Sequence, residues 1–202
     1  MTSIILNEDE KSKKTQDVPE SFAEKFLKTR QIILSGEVNK ELAEKIVKQL
    51  FIMEADSSEK PVYIYIDSPG GDVDSGFAIF DAIRFISCPV YIVGIGLIAS
   101  AAALILLSVP KENRFGFENS RYLIHQPLSE MRGVATDVEI YAKEMENTRF
   151  VINKVISEQT GQSLEKVTQD TERDYWLSSL QACEYGLISK IVKNRKDLKN
   201  NL

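Results

Sequence analysis

Between Phe85 and Pro110 the chain carries no charged residue, a run of 26 positions in a molecule of which 27% is charged. Few folds accommodate such a stretch. A run of ~18 or more apolar residues is long enough to cross a bilayer, and the alternative is burial on both sides within a layered protein. The interior of the run decides between them. Val90-Tyr-Ile-Val is β-branched and aromatic, Gly94 and Gly96 interrupt it, and Ala101 to Leu107 is rich in the helix formers alanine and leucine. That pattern predicts a buried strand, a turn and a buried helix beside a sheet covered on both faces.

The rest of the chain fits the layered reading. With 202 residues, 43% of them hydrophobic, one domain with a sizeable core is expected. The net charge of −5 argues against nucleic acid, whose phosphates need clustered Lys and Arg. The basic stretch from Lys193 to Lys199 reads as a solvated end. Cys88 and Cys183 lie far apart with no CxxC spacing, which predicts core thiols in a reduced compartment and neither a disulfide framework nor a zinc site. No basic stretch followed by an apolar one opens the chain, so a cytoplasmic location is expected.

Strands and helices alternate along the sequence. Residues 7–20 are polar, which predicts a mobile N-terminal segment over 1–20, followed by a single domain over 21–192 and a tail over 193–202. Phe22 to Leu27 reads as a short amphipathic helix and Gln31 to Leu34 as a strand. Asn39 is placed to cap a helix carrying Leu42, Ile46, Leu50 and Met53 on one face. Val62-Tyr-Ile-Tyr-Ile is a strand closed by Ser68-Pro-Gly-Gly, and Phe77 to Phe85 has helical spacing. Arg121-Tyr-Leu-Ile is a strand delivering His125. Thr136 with Glu139 forms a capping-box pattern opening a long helix, about 136–160, with Gly161 as its stop. Ser178 with Gln181 repeats that pattern for a helix ending at Gly186, and Leu187 to Val192 is a last strand. This alternation predicts an α/β fold with a largely parallel sheet.

Three side chains suggest chemistry. His125 is the only histidine; a lone histidine is more often structural, but this one follows a strand end, where functional groups of open α/β sheets collect. Ser100 sits before a predicted helix and could simply cap it. If His125 takes its proton, Ser100 can instead attack a carbonyl. The Ala101 amide at the helix start and the Gly71 amide after a strand are candidate donors to the resulting oxyanion. A carboxylate must orient the imidazole, and among 30 acidic residues spacing singles out none. Asp170 and Asp174 are equally simple choices.

Tyr63-Ile-Tyr-Ile-Asp-Ser-Pro-Gly-Gly71, Tyr122-Leu-Ile-His-Gln-Pro-Leu128, Ala135-Thr-Asp-Val-Glu-Ile140, Thr160-Gly-Gln-Ser-Leu-Glu165, Asp170-Thr-Glu-Arg-Asp174 and Glu184-Tyr-Gly-Leu187 together resemble ClpP, the proteolytic subunit of the bacterial and organellar Clp protease. The resemblance runs from about Phe22 to Val192. It implies a ClpP/crotonase-like fold of stacked βαβ units with a protruding handle helix. It also implies a serine endopeptidase with Ser100 as nucleophile, His125 as base, Asp174 as third member, and Gly71 and Ala101 as oxyanion amides. Glu172 and Arg173 match positions that pair across the ring–ring interface. The family further implies two stacked heptameric rings of identical or paralogous subunits around a chamber. An AAA+ unfoldase such as ClpX, ClpA or ClpC docks there and delivers unfolded chains. No GxxxxGK[ST] loop is present, so no cofactor is expected for this chain and ATP hydrolysis belongs to the partner.

The pattern departs from the family at three places. Ala101 stands where a methionine usually follows the nucleophile, Ser129-Glu-Met-Arg132 replaces a glycine pair, and the axial-pore motifs are not recognisable in residues 1–20. These departures point to a divergent paralogue working in a mixed ring. Three rival readings remain. Gly94-x-Gly96-x-x-Ala99 fits a dinucleotide fingerprint but leaves the Ser/His/Asp set unused. A crotonase-like acyl-CoA enzyme shares the fold and the paired amides. A ring subunit without catalysis would keep the residues and lack their alignment.

Overall fold

A computed structural model describes residues 22–199. The segment expected to be mobile at residues 1–20 lies outside them. The elements in chain order are α1 (Phe22–Lys28), β1 (Gln31–Ser35), α2 (Lys40–Asp56), β2 (Val62–Ser68), α3 (Val73–Phe85), β3 (Val90–Ala99), α4 (Ala101–Leu106), a 3₁₀ turn at Lys111–Asn113, β4 (Arg114–Phe117), β5 (Arg121–Ile124), α5 (Ala135–Thr160), α6 (Leu164–Asp170), β6 (Tyr175–Ser178), α7 (Ser179–Tyr185), β7 (Lys190–Val192) and α8 (Lys196–Lys199). The strands β4 and β6 have 4 residues each and α6 has 7, too short for hydrophobic periodicity to reveal them.

Five strands pair in parallel in the order β1-β2-β3-β4-β7, while β5 pairs with β3 and, antiparallel, with β6. The uncharged run supplies the centre of this sheet. The two glycines do not end the strand as the pattern suggested: β3 continues through both for 10 residues. It changes neighbour there, pairing with β4 over Ile92–Gly94 and with β5 over Leu97–Ala99. A register shift between Ile66 and Ser68 opens the ladder with β2 at the same level. The Asp67 carboxylate fills that opening by accepting from the Leu97 amide at 3.0 Å. Every residue of α4 is buried, which accounts for the absence of charge in the second half of the run. Among the described residues, no helix is long and apolar enough to cross a membrane.

The main core lies between one sheet face and α2, α3 and α4, with Leu34, Ile46, Leu50, Ile64, Ile79, Ile92 and Ile105 all sealed from solvent. Full burial of such side chains contributes about 1.5–3 kcal/mol each against chain entropy. The opposite face carries a row of rings: Tyr63 stacks on Tyr91 with centroids 5.3 Å apart, and Tyr91 lies 6.4 Å from Phe115. Here the expectation of a solvated basic tail needs correction. The chain turns back at Lys193, whose amide donates to the Asp197 carboxylate at 2.9 Å, and Leu198 is buried against Val93, Phe115 and Val192. One leucine that covers an aromatic face outweighs the charges around it, which stay in water.

Arg30 closes the α2–β2 connection. It is 8% exposed and donates through Nη1 to the Met53 carbonyl at 2.7 Å and through Nη2 to the Ser57 and Lys60 carbonyls, both at 2.9 Å. Its partner Asp56 is mostly exposed, so the ion pair itself contributes little. The carbonyls decide the cost of losing it, since a buried acceptor left unmatched costs about 1–3 kcal/mol. Arg30→Met is therefore expected to destabilise the chain by about 3 kcal/mol, read as a lower urea midpoint at constant slope. An unchanged midpoint would show that water replaces the guanidinium.

The long helix α5 begins one residue earlier than predicted and has no side-chain cap. Its N-cap position is Val134, whose carbonyl accepts from the Val138 amide at 3.1 Å. Thr136 thus lies inside the first turn, and Glu139 pairs with Lys143 at 2.8 Å, so the expected capping box does not form. The other two predicted caps are in place: Asn39 accepts from the Leu42 amide, and Ser178 with Gln181 makes the full reciprocal box. Only the C-terminal part of α5 is rooted, through buried Ile152, Asn153, Ile156 and Thr160. Its first half stands off the domain and exposes Val138 and Ile140.

Candidate active site

The carboxyl ends of β2, β3 and β5 converge. At the end of β3 the backbone turns into α4 through Ser100, which has φ 56° and ψ −123°, a sparsely populated conformation for a residue with a side chain. Hydrogen bonds on both sides hold it there. The Ser100 amide donates to the Leu123 carbonyl at 2.9 Å, and its own carbonyl accepts from Ala103 at 2.9 Å and Leu104 at 3.2 Å. Its hydroxyl makes no capping bond to α4. A strained strand-to-helix turn that leaves its hydroxyl uncommitted is how nucleophilic serines are presented.

The loop after β2 packs directly on this turn. A Cβ on Gly70 would lie 2.5 Å from the Ala99 carbonyl oxygen, 2.7 Å from the Ser100 Cβ and 2.9 Å from the Ala101 nitrogen. Only glycine permits that approach, and it sets the Gly70-Gly71 backbone beside the Ala101 amide. The neighbouring bridge orients Gly71. Val38 donates to the Gly70 carbonyl at 2.7 Å and accepts from the Asp72 amide at 2.8 Å. In a parallel bridge, when one residue bonds to both neighbours of its partner, the partner's own N–H points to the other side. The Gly71 amide is thus turned away from Val38.

His125 follows the last residue of β5, where the sequence predicts it. The antiparallel pairing of β5 with β6 runs from Arg121 opposite Ser178 to Ile124 opposite Tyr175. One step further along that register places His125 opposite Asp174, and their side chains meet at 3.0 Å between Nδ1 and Oδ1. Asp170 is used elsewhere: its Oδ2 accepts from Lys166 Nζ at 2.6 Å and from the Tyr185 hydroxyl at 2.8 Å. Burial, reinforced by that bond, pushes the Tyr185 hydroxyl well above the ordinary phenol range, so it stays a donor.

Ser100 and His125 line one small cavity of about 20 Å³, walled by Val73, Leu104, Ile124 and Ile156. That is room for one water or a small group. Among the described residues, no hydrogen bond joins the Ser100 hydroxyl to the imidazole. Such bonds are often long before substrate binds. Glu172 pairs with Arg149 of the same chain, and Arg173 is exposed. The sequence reading missed the cavity wall from α5, because Ile152 and Ile156 read only as a helix stripe, and missed the buried Thr171, whose hydroxyl lies 2.9 Å from Asn153 Oδ1 at the root of the aspartate loop.

A strained serine, a histidine just past the end of the neighbouring strand and an aspartate opposite it are the residue types that serine hydrolases combine for acyl transfer. Comparison with known proteins narrows the class. A model of the Clp protease family matches residues 13–195. An ATP-dependent Clp protease proteolytic subunit 2 of Treponema denticola is 62% identical over 98% of each chain. The corresponding subunit 2 of Borreliella burgdorferi is 47% identical over 85% of this chain and 87% of that one. A solved structure of a Listeria monocytogenes ClpP1 mutant superposes with a TM-score of 0.81 at 45% identity, covering 86% of this chain and 97% of the other. The chain belongs to the Clp protease family. It is a serine endopeptidase subunit of a chambered protease.

Proposed function

We propose that Ser100, His125 and Asp174 are the catalytic triad, with the Gly71 and Ala101 amides as the oxyanion hole. The contact between His125 Nδ1 and Asp174 Oδ1 at 3.0 Å, with Ser100 in the same cavity, supports this most directly. His125 Nε2 takes the hydroxyl proton as Ser100 Oγ bonds to the substrate carbonyl carbon. The oxyanion forms beside the two amides. Collapse breaks the C–N bond, and the imidazolium gives its proton to the leaving amine. Water, deprotonated by His125, then releases the acyl group and restores the serine.

Unfolded proteins are the proposed substrates, handed over in the cytoplasm by an AAA+ unfoldase such as ClpX, ClpA or ClpC that supplies the ATP hydrolysis. We propose stacked heptameric rings of this chain alone or with a paralogue. The first half of α5, which exposes Val138 and Ile140 among charged residues, suits a ring–ring contact. Glu172 and Arg173 lie beside its root, and Glu172 would exchange its Arg149 partner for one across the rings. No cofactor is required by this chemistry.

A fluorophosphonate tests the assignment. It is expected to add once per chain, at Ser100, by peptide mass mapping; labelling elsewhere or none would remove the nucleophile. One observation favours a second reading. The missing bond between the serine and the imidazole fits a subunit that aligns only within a mixed ring. In that case co-assembly with a paralogue accelerates labelling of this chain, and homomeric rings label slowly.

A further inference from the structure

We propose that Gln126 is a positioning residue that holds the imidazole–carboxylate couple in register through its side-chain amide. The inference rests on the triad assignment above. The sheet steadies the couple from one side only, because β5 ends at Ile124 and β6 begins at Tyr175. Beyond the couple, the ladder does not continue. Gln126 reaches across instead. Its backbone amide donates to the Thr171 carbonyl at 2.7 Å, and its side-chain Nε2 donates to the Glu172 carbonyl at 2.7 Å. A single residue adjoining His125 thus grips two successive carbonyls of the loop that carries Asp174.

The loop has few other restraints at this level. Asp174 has a side chain 61% exposed, and among the described residues its carboxylate meets no partner except His125. Its place is set by its backbone. Thr171 is anchored at the loop's root by its buried hydroxyl, whereas the Glu172 carbonyl is held by Gln126 alone among the described residues. The Gln126 side chain points at the loop and does not line the cavity shared by Ser100 and His125. It therefore acts on alignment and not on substrate contact. A misplacement of about 1 Å in such a couple can cost on the order of 10²-fold in rate.

The test uses the full chain in its native assembly and four proteins: wild type, Gln126→Met, Asp174→Asn and the double variant. Methionine keeps the length of the side chain and removes the donor. Fluorophosphonate labelling rates and kcat and KM on a fluorogenic peptide are measured, with native mass spectrometry as a check on assembly. Gln126→Met is expected to lower kcat and the labelling rate by about 10–100-fold with KM within about twofold. In the Asp174→Asn background the same change is expected to cost less than about threefold, since the two residues act through one contact. Gln126→Glu, which sets a carboxylate against the Glu172 carbonyl, is expected to lose at least as much as Gln126→Met. Three results overturn the proposal: wild-type kcat in Gln126→Met, equal losses in both backgrounds, or loss of the assembly in Gln126→Met, which would make the residue structural. Absence of labelling in wild type itself would instead overturn the triad assignment, and this inference with it.

Discussion

Ser100→Ala is expected to reduce hydrolysis of a fluorogenic peptide by about 10⁴–10⁶-fold, leaving the residue of rate that amides and binding alone provide. The variant should fold and assemble normally. What holds position 100 at φ 56° is backbone bonding to Leu123, Ala103 and Leu104, and the side chain makes no cap to α4. Alanine and serine bear the same strain there. A variant of unchanged native mass with lost turnover therefore separates chemistry from folding. Retention of more than about a tenth of wild-type activity would mean that another nucleophile does the work.

Asp174→Asn should lower kcat by about 10³–10⁴-fold, because an amide can hold the imidazole in the wrong tautomer and cannot stabilise the imidazolium. Its cost in stability should be small, since the Asp174 side chain is 61% exposed. Asp170→Asn should behave in the opposite way. Asp170 is bound to Lys166 and Tyr185 and does not face His125. Kcat is expected to stay within about tenfold, and stability to fall by about 1 kcal/mol as a charged acceptor becomes neutral. Measuring kcat and the urea midpoint for both variants separates the roles, and the reverse ranking would exchange them.

These two aspartates mark where sequence reasoning stops. Both stand in Asp170-Thr-Glu-Arg-Asp174, and composition and spacing treat them alike. Resemblance to a family favoured Asp174. The physical reason lies in β6, a strand of 4 residues that periodicity did not reveal, and in its antiparallel register with β5. That register turns a separation of 49 positions into a contact. Gly71 is similar: its sequence shows that it can adopt unusual angles, but only the bridge to Val38 shows which way its amide points.

Some local signals are not realised in the fold. Thr136 and Glu139 have the letters of a capping box, yet α5 starts at Ala135 and the pair falls inside the first turn. Gly94 and Gly96 look like a turn, yet β3 passes through them because two strands offer partners along one edge. The basic tail looks solvated, yet Leu198 is drawn onto the aromatic face of the sheet. In the last two cases a contact distant in sequence outweighed a preference of a few tenths to about one kcal/mol.

The sequence by itself determined the layered α/β class, the burial of the uncharged run, and the placement of Ser100 and His125 at element ends. These follow from local pattern: period, glycine and proline punctuation, and the absence of charge. Tertiary structure alone decided which carboxylate meets His125, which way the Gly71 amide faces, and that α5 roots only its C-terminal part, because each depends on pairing between segments far apart in the chain.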